Sequence, residues 1–365
     1  GQVVLDQNTV IDLRELLAKV KETSGRFIQL EEGQFLALTQ EFKKRLTELN
    51  IYSEESGPEN GDEVLVHPLA ALPLQKLIDQ AQTLADAGWE AQLTRLKGIQ
   101  SFTPQLPTTL QAELRDYQLE GFNWLSRLVH WGVGGCLADD MGLGKTIQSL
   151  AIILELADGG PSLVIAPTSV STNWETEVNR FAPTLNIRSL SGKDRKKTIQ
   201  ELGKFDLLIT TYTLLQQENE LLSQVQWQTV ILDEAQAIKN PSTRQTRTVK
   251  QLKADARIAL TGTPVENRLS DLWSLFDFLN PGLLGSAKVF DKFVGRLSAR
   301  ERDQFAPLRR LVGPYILRRL KTDRSIIADL PEKTETTRYC HLTKAQARLY
   351  EQVVRRMKEA LDTVD

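Results

Sequence analysis

The stretch "LADDMGLGKTIQSL", residues 137–150, sets two acids, two glycines, a lysine and a threonine between two apolar runs. The apolar residues before it read as a strand, the glycines turn the chain, and "KTIQSLAIILEL" opens a helix. Strand, glycine loop, helix start is a geometry that binds phosphate. Glycines let backbone amides approach the oxygens, and the helix N-terminus adds its positive dipole end. Asp140, Gly142, Leu143 and Gly144 form such a loop, with Lys145 placed to reach β- and γ-phosphates and the Thr146 hydroxyl to hold Mg²⁺. The strict GxxxxGK[ST] form fails, because Asp139 stands where its first glycine belongs. An ordinary surface loop is the plain alternative.

A phosphate cradle needs a second carboxylate for the metal and a group to activate water. "TVILDEAQ" supplies both at the end of a later apolar run, with Asp233 lying 88 residues after Lys145. Asp233 suits the metal, and Glu234 suits polarisation of the attacking water as a general base. A DE pair after a strand is common and says little alone. With the loop it becomes the second half of a site for ATP and Mg²⁺.

Positioning these groups requires a sheet. Short β-rich runs occur at 133–138, 163–166, 206–212, 228–232 and 257–261, with helical patterns at 146–157, 172–181, 213–222 and 243–252. Alternation of this kind predicts an α/β fold, a parallel sheet covered by helices on both faces. After Pro264 the pattern turns helical and basic, through "DLWSLFDFLN", "KVFDKFVGRL" and "LRRLVGPYILRRL". Upstream, apolar spacing predicts a helix over 9–22, a hairpin across "RFIQLEEGQFLAL", a helix at 40–49, a polar loop at 53–63, a helix at 72–87 and a linker at 101–111. No motif that carries chemistry falls in residues 1–105, which read as a small α+β accessory module.

With 365 residues, two or three domains are expected, and 41% hydrophobic with 25% charged residues suits a soluble globular protein. No apolar run is long enough to span a bilayer, and the first residues show no signal peptide, so no membrane partner is expected. Cys136 and Cys340 are isolated, which excludes a disulfide framework and a CxxC zinc site and points to a reducing, intracellular compartment. The net charge of −2 is unevenly placed. Residues 1–105 carry 16 acids and 10 bases, whereas Lys288–Arg324 carries 11 bases and 4 acids. Such a run either faces a polyanion, holds another part of the molecule, or is a solvated helix face.

Seven ordered blocks now bear on identity: "LRDYQLEGFNWL", "DDMGLGKT", "LVIAPTSVSTNW", "DLLITTY", "DEAQ", "ALTGTPVENRL" and "ILRRLKTD…LPEK". Together they resemble the first motor lobe of Swi/Snf-type ATPases, double-lobed DNA translocases of the helicase-like class. The resemblance covers roughly 110–340 and implies a RecA-like P-loop lobe (106–320) with a helical protrusion from about 270, then a linker and the start of a second lobe (321–365). It also implies that Gln118, 27 residues before Lys145, reads the adenine edge, with Arg115 and Tyr117 framing the base. A side-chain amide suits this because it donates and accepts at once. Gln236, Thr261 and Thr263 correspond to residues that couple hydrolysis to nucleic-acid contacts, although Gln236 stands where many relatives have histidine. Thr168, Ser169, Asn173, Thr211 and Lys239 correspond to loops that hold DNA by its phosphates, without sequence preference and with strong salt dependence.

The resemblance implies translocation along double-stranded DNA without unwinding, acting on a protein partner on DNA such as a nucleoprotein or a polymerase. A monomer is expected, in the cytoplasm and nucleoid-associated if bacterial. No block after "YCHLTKAQARLYEQVV" supplies the arginines that stabilise charge on the departing phosphate. The chain is therefore expected to be the N-terminal part of a motor, binding ATP weakly and hydrolysing it poorly. Three alternatives remain: a strand-separating or RNA-directed helicase, a non-catalytic ATP-gated nucleic-acid-binding module, and a P-loop enzyme of small molecules.

Overall fold

The computed structural model describes residues 2–4, 10–23, 25–30, 35–52, 91, 94, 98, 101–190, 194–263, 268–298, 305–323 and 341–361. It divides into two compact units, Gly1–Ile326 and Ile327–Asp365.

The first elements are small. Strands β1 (Gln2–Val4) and β2 (Val10–Asp12) pair antiparallel, helix α1 (Leu13–Glu22) follows, and β3 (Phe27–Gln29) pairs antiparallel with β4 (Phe35–Ala37) before helix α2 (Gln40–Tyr52). Ile11, Leu16, Leu17, Val20, Ile28, Leu38 and Leu46 form their shared apolar cluster. The hairpin is as expected. The helix expected over 9–22 starts four residues late, because Val10–Asp12 pairs with Gln2–Val4, and local periodicity carries no signal of a partner strand. The expected loop at 53–63 and helix at 72–87 lie outside the described residues.

Helix α3 (Asp116–Trp131) introduces the main sheet. There follow β5 (Gly135–Leu137), α4 (Lys145–Leu156), β6 (Ser162–Ala166), α5 (Thr168–Phe181), β7 (Asn186–Arg188), α6 (Arg195–Gln200) and β8 (Asp206–Thr211). Then come the short helices α7 (Tyr212–Gln217) and α8 (Asn219–Leu222), β9 (Gln226–Leu232), α9 (Arg244–Lys250) and β10 (Lys253–Leu260). Helices α10 (Leu269–Leu279), α11 (Ala287–Ser298) and α12 (Ala306–Val312) precede β11 (Ile316–Leu317). The sheet has seven strands in the order β11-β5-β10-β9-β6-β8-β7, every pairing parallel.

Successive strand residues face opposite sides, as the pleat requires. In β6, Val164 and Ala166 join one apolar cluster with α3, α4 and α5, while Leu163 and Ile165 join the other beneath α7, α9 and α10. Both faces are covered, so the strands read as continuous apolar runs. Helix α4 is buried without interruption from Gln148 to Leu154 because α3 and α5 flank it. A third cluster joins the end of α3 to α10–α12 through Trp131, Leu272, Phe276, Phe290, Leu308 and Tyr315.

Two expectations need correction here. The helix expected over 213–222 is two helices that meet at Glu218. The basic stretch ending in "YILRRL" is not helical throughout: Gly313–Tyr315 forms a 3₁₀ turn, and Ile316–Leu317 is the edge strand beside β5. Gly313 and Pro314 weaken helix propagation, and the strand's partner lies 180 residues upstream (Cys136 for Ile316), beyond the reach of local pattern.

In the second unit, helix α13 (Lys344–Leu361) carries exposed Leu349, Val353 and Met357 at four-residue spacing, with Tyr350 and Val354 beside them. Among the described residues, no helix is long and apolar enough to cross a membrane.

Candidate nucleotide site at the carboxyl edge of the sheet

Because every strand is parallel, the loops after β5, β10, β9, β6 and β8 emerge on one edge, where parallel α/β sheets bind their ligands. The loop after β5 is the glycine loop. Gly142 (φ 82°) and Gly144 (φ 76°) lie in the left-handed region that a Cβ disfavours. Space excludes a Cβ at Gly144 as well, since one there would sit 2.3 Å from Gln118 Nε2. α4 begins at Lys145 and presents its first amides to the loop. Thr146 lies in that first turn, half-buried.

Lys145 Nζ donates to the carbonyls of Asp139 (2.7 Å) and Asp140 (3.4 Å), so its amine stays in polar surroundings. Burial lowers its pKa, opposed by the fields of Glu234, Asp139, Asp233 and Asp140. The carboxylates after β9 and the lysine after β5 thus lie on the same edge of the sheet, with β10 between their strands, close enough for their fields to act on one another. The pairing that sequence spacing suggested is brought together in space.

Asp233 is buried and held from three sides. Trp174 Nε1 donates to Oδ2 (2.8 Å), the Glu234 amide donates to Oδ1 (2.9 Å), and Tyr212 Oη donates to its carbonyl (2.9 Å). Burial raises its pKa, and the bonds from Trp174 and the Glu234 amide to its carboxylate act against that rise. Glu234 adopts φ 49°, unusual for a residue with a Cβ and costing on the order of 1 kcal/mol. That conformation turns the chain sharply off β9, and the bond from Gln236 Nε2 to Glu234 Oε2 (2.7 Å) steadies it.

A relay continues to the next strand end. Gln236 Oε1 accepts from Thr261 Oγ1 (2.9 Å), and Thr261 Oγ1 accepts from the Thr263 amide (3.1 Å). Gln236 can bridge the two because one amide group donates to the glutamate and accepts from the threonine.

Gln118 sits at the start of α3, where its Oε1 accepts from the Arg115 amide (3.0 Å) and its Nε2 donates to the Leu143 carbonyl (3.2 Å). Beyond those bonds an amide retains an N–H and a lone pair, the combination an adenine edge requires. Its second N–H has only a 3.5 Å contact, to Tyr117 Oη, at the limit of a hydrogen bond. Arg115 is exposed, whereas Tyr117 is buried with its ring 5.2 Å from the Arg319 guanidinium.

The remaining candidates lie on the same edge. Thr168 and Ser169 are exposed at the start of α5, and Asn173 one turn on donates to Glu177 (2.9 Å). Thr211 caps α7 by accepting from the Leu214 amide, and Lys239 is exposed after the 3₁₀ turn that follows Glu234.

Sequence reasoning missed the supports. Trp174 and Tyr212, which hold Asp233, were given no role by the sequence beyond their places in the blocks "LVIAPTSVSTNW" and "DLLITTY". Arg319 read only as one base of the run Lys288–Arg324, yet it is 4% exposed and paired with fully buried Asp139. The signal for Asp139 was present: an acid in a glycine's place needs a partner.

Among the described residues, no group of three or more His, Cys, Asp or Glu converges on a metal position. One carboxylate and one hydroxyl, Asp233 and Thr146, instead match a magnesium ion that keeps waters and takes phosphate oxygens.

Against known proteins, the family model described as the SNF2-related domain matches residues 117–364. The putative ATP-dependent helicase/translocase YwqA of Bacillus subtilis is 38% identical over 371 residues, covering 95% of this chain and 39% of that protein. The chromatin-remodeling ATPase INO80 of Schizosaccharomyces pombe is 36% identical over 286 residues, covering 72% of this chain and 18% of that protein. The SWI2/SNF2 ATPase core of Sulfolobus solfataricus, solved in complex with dsDNA, superposes with TM-score 0.58 at 44% identity, covering 72% of this chain and 56% of that one. The chain thus spans under two thirds of each.

Proposed function

The chain belongs to the SNF2-related family of ATPases, and on that premise we propose that it is the first lobe of an ATP-driven motor that tracks along double-stranded DNA. One observation carries the reading. Lys145, the first residue of the helix after β5, lies within the fields of Asp233 and Glu234 just past the end of β9, and a hydrogen-bonded relay runs on from Glu234 through Gln236 to Thr261 and Thr263.

In this reading Lys145 exchanges its loop carbonyls for the β- and γ-phosphate oxygens of ATP. Amides of 142–146 receive the remaining phosphate charge, and Gln118 reads adenine. Thr146 and Asp233 hold Mg²⁺, which when bound offsets charge on the phosphates. Glu234 accepts a proton from the attacking water, and Gln236 reports its state to the end of β10. Exposed Thr168 and Ser169, with Asn173, Thr211 and Lys239, receive the phosphates of one DNA strand. The Sulfolobus core solved with dsDNA supports duplex DNA as the partner. A separate apolar cluster before residue 50 supports an accessory module preceding the lobe.

Calorimetric titration tests the nucleotide part: ATP with Mg²⁺ binds the parent chain, and Lys145→Ala loses that binding. Fluorescence anisotropy with a blunt duplex tests the other part. Affinity is expected to fall steeply with salt and to be indifferent to sequence. A chain that binds tailed single strands but no blunt duplex refutes the duplex-tracking reading in favour of a strand-separating one.

A further inference from the structure

In the edge strand and the residues after it, the main chain runs alongside the phosphate loop. The Ala138 amide donates to the Leu317 carbonyl (2.7 Å), the Asp140 amide to the Arg319 carbonyl (3.0 Å), and the Lys321 amide to Asp140 Oδ2 (2.9 Å). From this strap the Arg319 side chain enters the lobe. Its Nε lies 3.0 and 3.1 Å from the two oxygens of Asp139, and its Nη2 donates to Asp139 Oδ2 (2.5 Å) and to Gln148 Oε1 (3.0 Å). Nη1 donates to the Tyr117 carbonyl, and the Arg319 amide donates to Asp139 Oδ1 (3.0 Å).

These partners sit at three places that a nucleotide would sense. Asp139 is the first residue of the phosphate loop. Gln148, through Nε2, holds the Gly144 carbonyl (3.1 Å) at the loop's other end. Tyr117 directly precedes the base-reading Gln118. A glycine at 139, as in the strict P-loop pattern, offers no side-chain acceptor to an arginine. A buried ion pair is seldom more stable than apolar residues of the same volume, so stability alone does not account for it. A planar five-donor fork does fix several acceptors at once.

We propose that Arg319, with Asp139 as its acceptor, is a positioning residue that holds the phosphate loop and the base-reading glutamine in register for a nucleoside triphosphate. This rests on the nucleotide reading above. Because Arg319 lies on the segment leaving the sheet after β11, movement of that segment is transmitted to both ends of the phosphate loop.

The test compares Arg319→Lys, Asp139→Gly and the pair Asp139→Gly/Arg319→Met by thermal melting and by titration with ATP and GTP. Arg319→Lys keeps the charge and loses the fork. It is expected to weaken ATP binding about tenfold and to reduce the preference for ATP over GTP, since small misplacements of binding groups are costly. Asp139→Gly, which restores the glycine pattern, is expected to lower both melting temperature and ATP affinity. Removing both charges is expected to recover the melting temperature while ATP binding stays weak, which separates positioning from folding. Parent-like ATP affinity and selectivity in Arg319→Lys or in the double variant overturns the proposal alone. A parent chain that binds no ATP overturns it together with the nucleotide reading.

Discussion

Gly121 offers a sharp trial of the buried network, because two physical effects there have opposite signs. The residue lies inside α3, where replacing glycine by alanine ordinarily stabilises a helix by about 1 kcal/mol. A Cβ at this position, however, would lie 1.9 Å from Gln148 Oε1 and 2.7 Å from Arg319 Nη2. Both atoms end flexible side chains, but Gln148 is 0% and Arg319 4% exposed, so neither can swing into solvent. Displacing them breaks the Arg319–Gln148 bond, a hydrogen bond from a charged donor worth roughly 1.5–3 kcal/mol, and strains the Gln148–Gly144 bond, worth about 1 kcal/mol.

The loss exceeds the helical gain, leaving Gly121→Ala destabilised by roughly 1.5–3 kcal/mol. For a lobe of this size that is a fall of about 3–12 °C in melting temperature, measured by differential scanning fluorimetry. Gly121→Ala/Gln148→Ala removes the closer clash and is expected to regain part of the loss relative to Gln148→Ala. A single Gly121→Ala variant that melts at or above the parent refutes the reasoning, since the network would then be free to rearrange.

Other outcomes follow from the same geometry. Glu234→Gln is expected to retain ATP binding while abolishing any DNA-stimulated turnover, read by single-turnover phosphate release; residual turnover above about 1% of the parent would remove Glu234 from its role as base. Trp174→Phe deletes a bond that lowers the Asp233 pKa, which burial has already raised. In the proposed role of the ionised Asp233 carboxylate as a magnesium ligand, magnesium-dependent ATP affinity should fall on acidification, with its midpoint at higher pH in the variant. A midpoint that is the same in parent and variant speaks against this. The raised pKa also has a sign for stability: that contribution is present below the unfolded value and is lost as pH rises through the folded one, so Asp233 works against folding at neutral pH. Finally, the Cys136 thiol is fully buried and pushed up to about 12, mainly by desolvation. In a Cys340→Ser background, iodoacetamide at about pH 8 should label Cys136 only in denaturant, as mass spectrometry would show.

Much of the site was readable without coordinates because phosphate chemistry constrains adjacent residues. Gly142, Gly144, Lys145 and Thr146 must follow one another to shape one loop, so their order survives as a linear motif. The parallel sheet was legible for a similar reason: strands buried on both faces leave short apolar runs such as 163–166, and helices leave their own period between them. Residues whose partners lie far along the chain left no such trace. Val10–Asp12 carries a helical apolar pattern, and only pairing with Gln2–Val4 makes it a strand. Ile316–Leu317 reads as the tail of a basic helix until β5 offers its edge. Trp174 carries no local sign of its bond to Asp233, 59 residues away, and Arg319, one base in a basic run, carries none of its pairing with Asp139 across 180. Composition and spacing determined which groups could touch a nucleotide. Which groups hold them in place was decided by the order of strands in the sheet, because burial and pairing are properties of the packed chain.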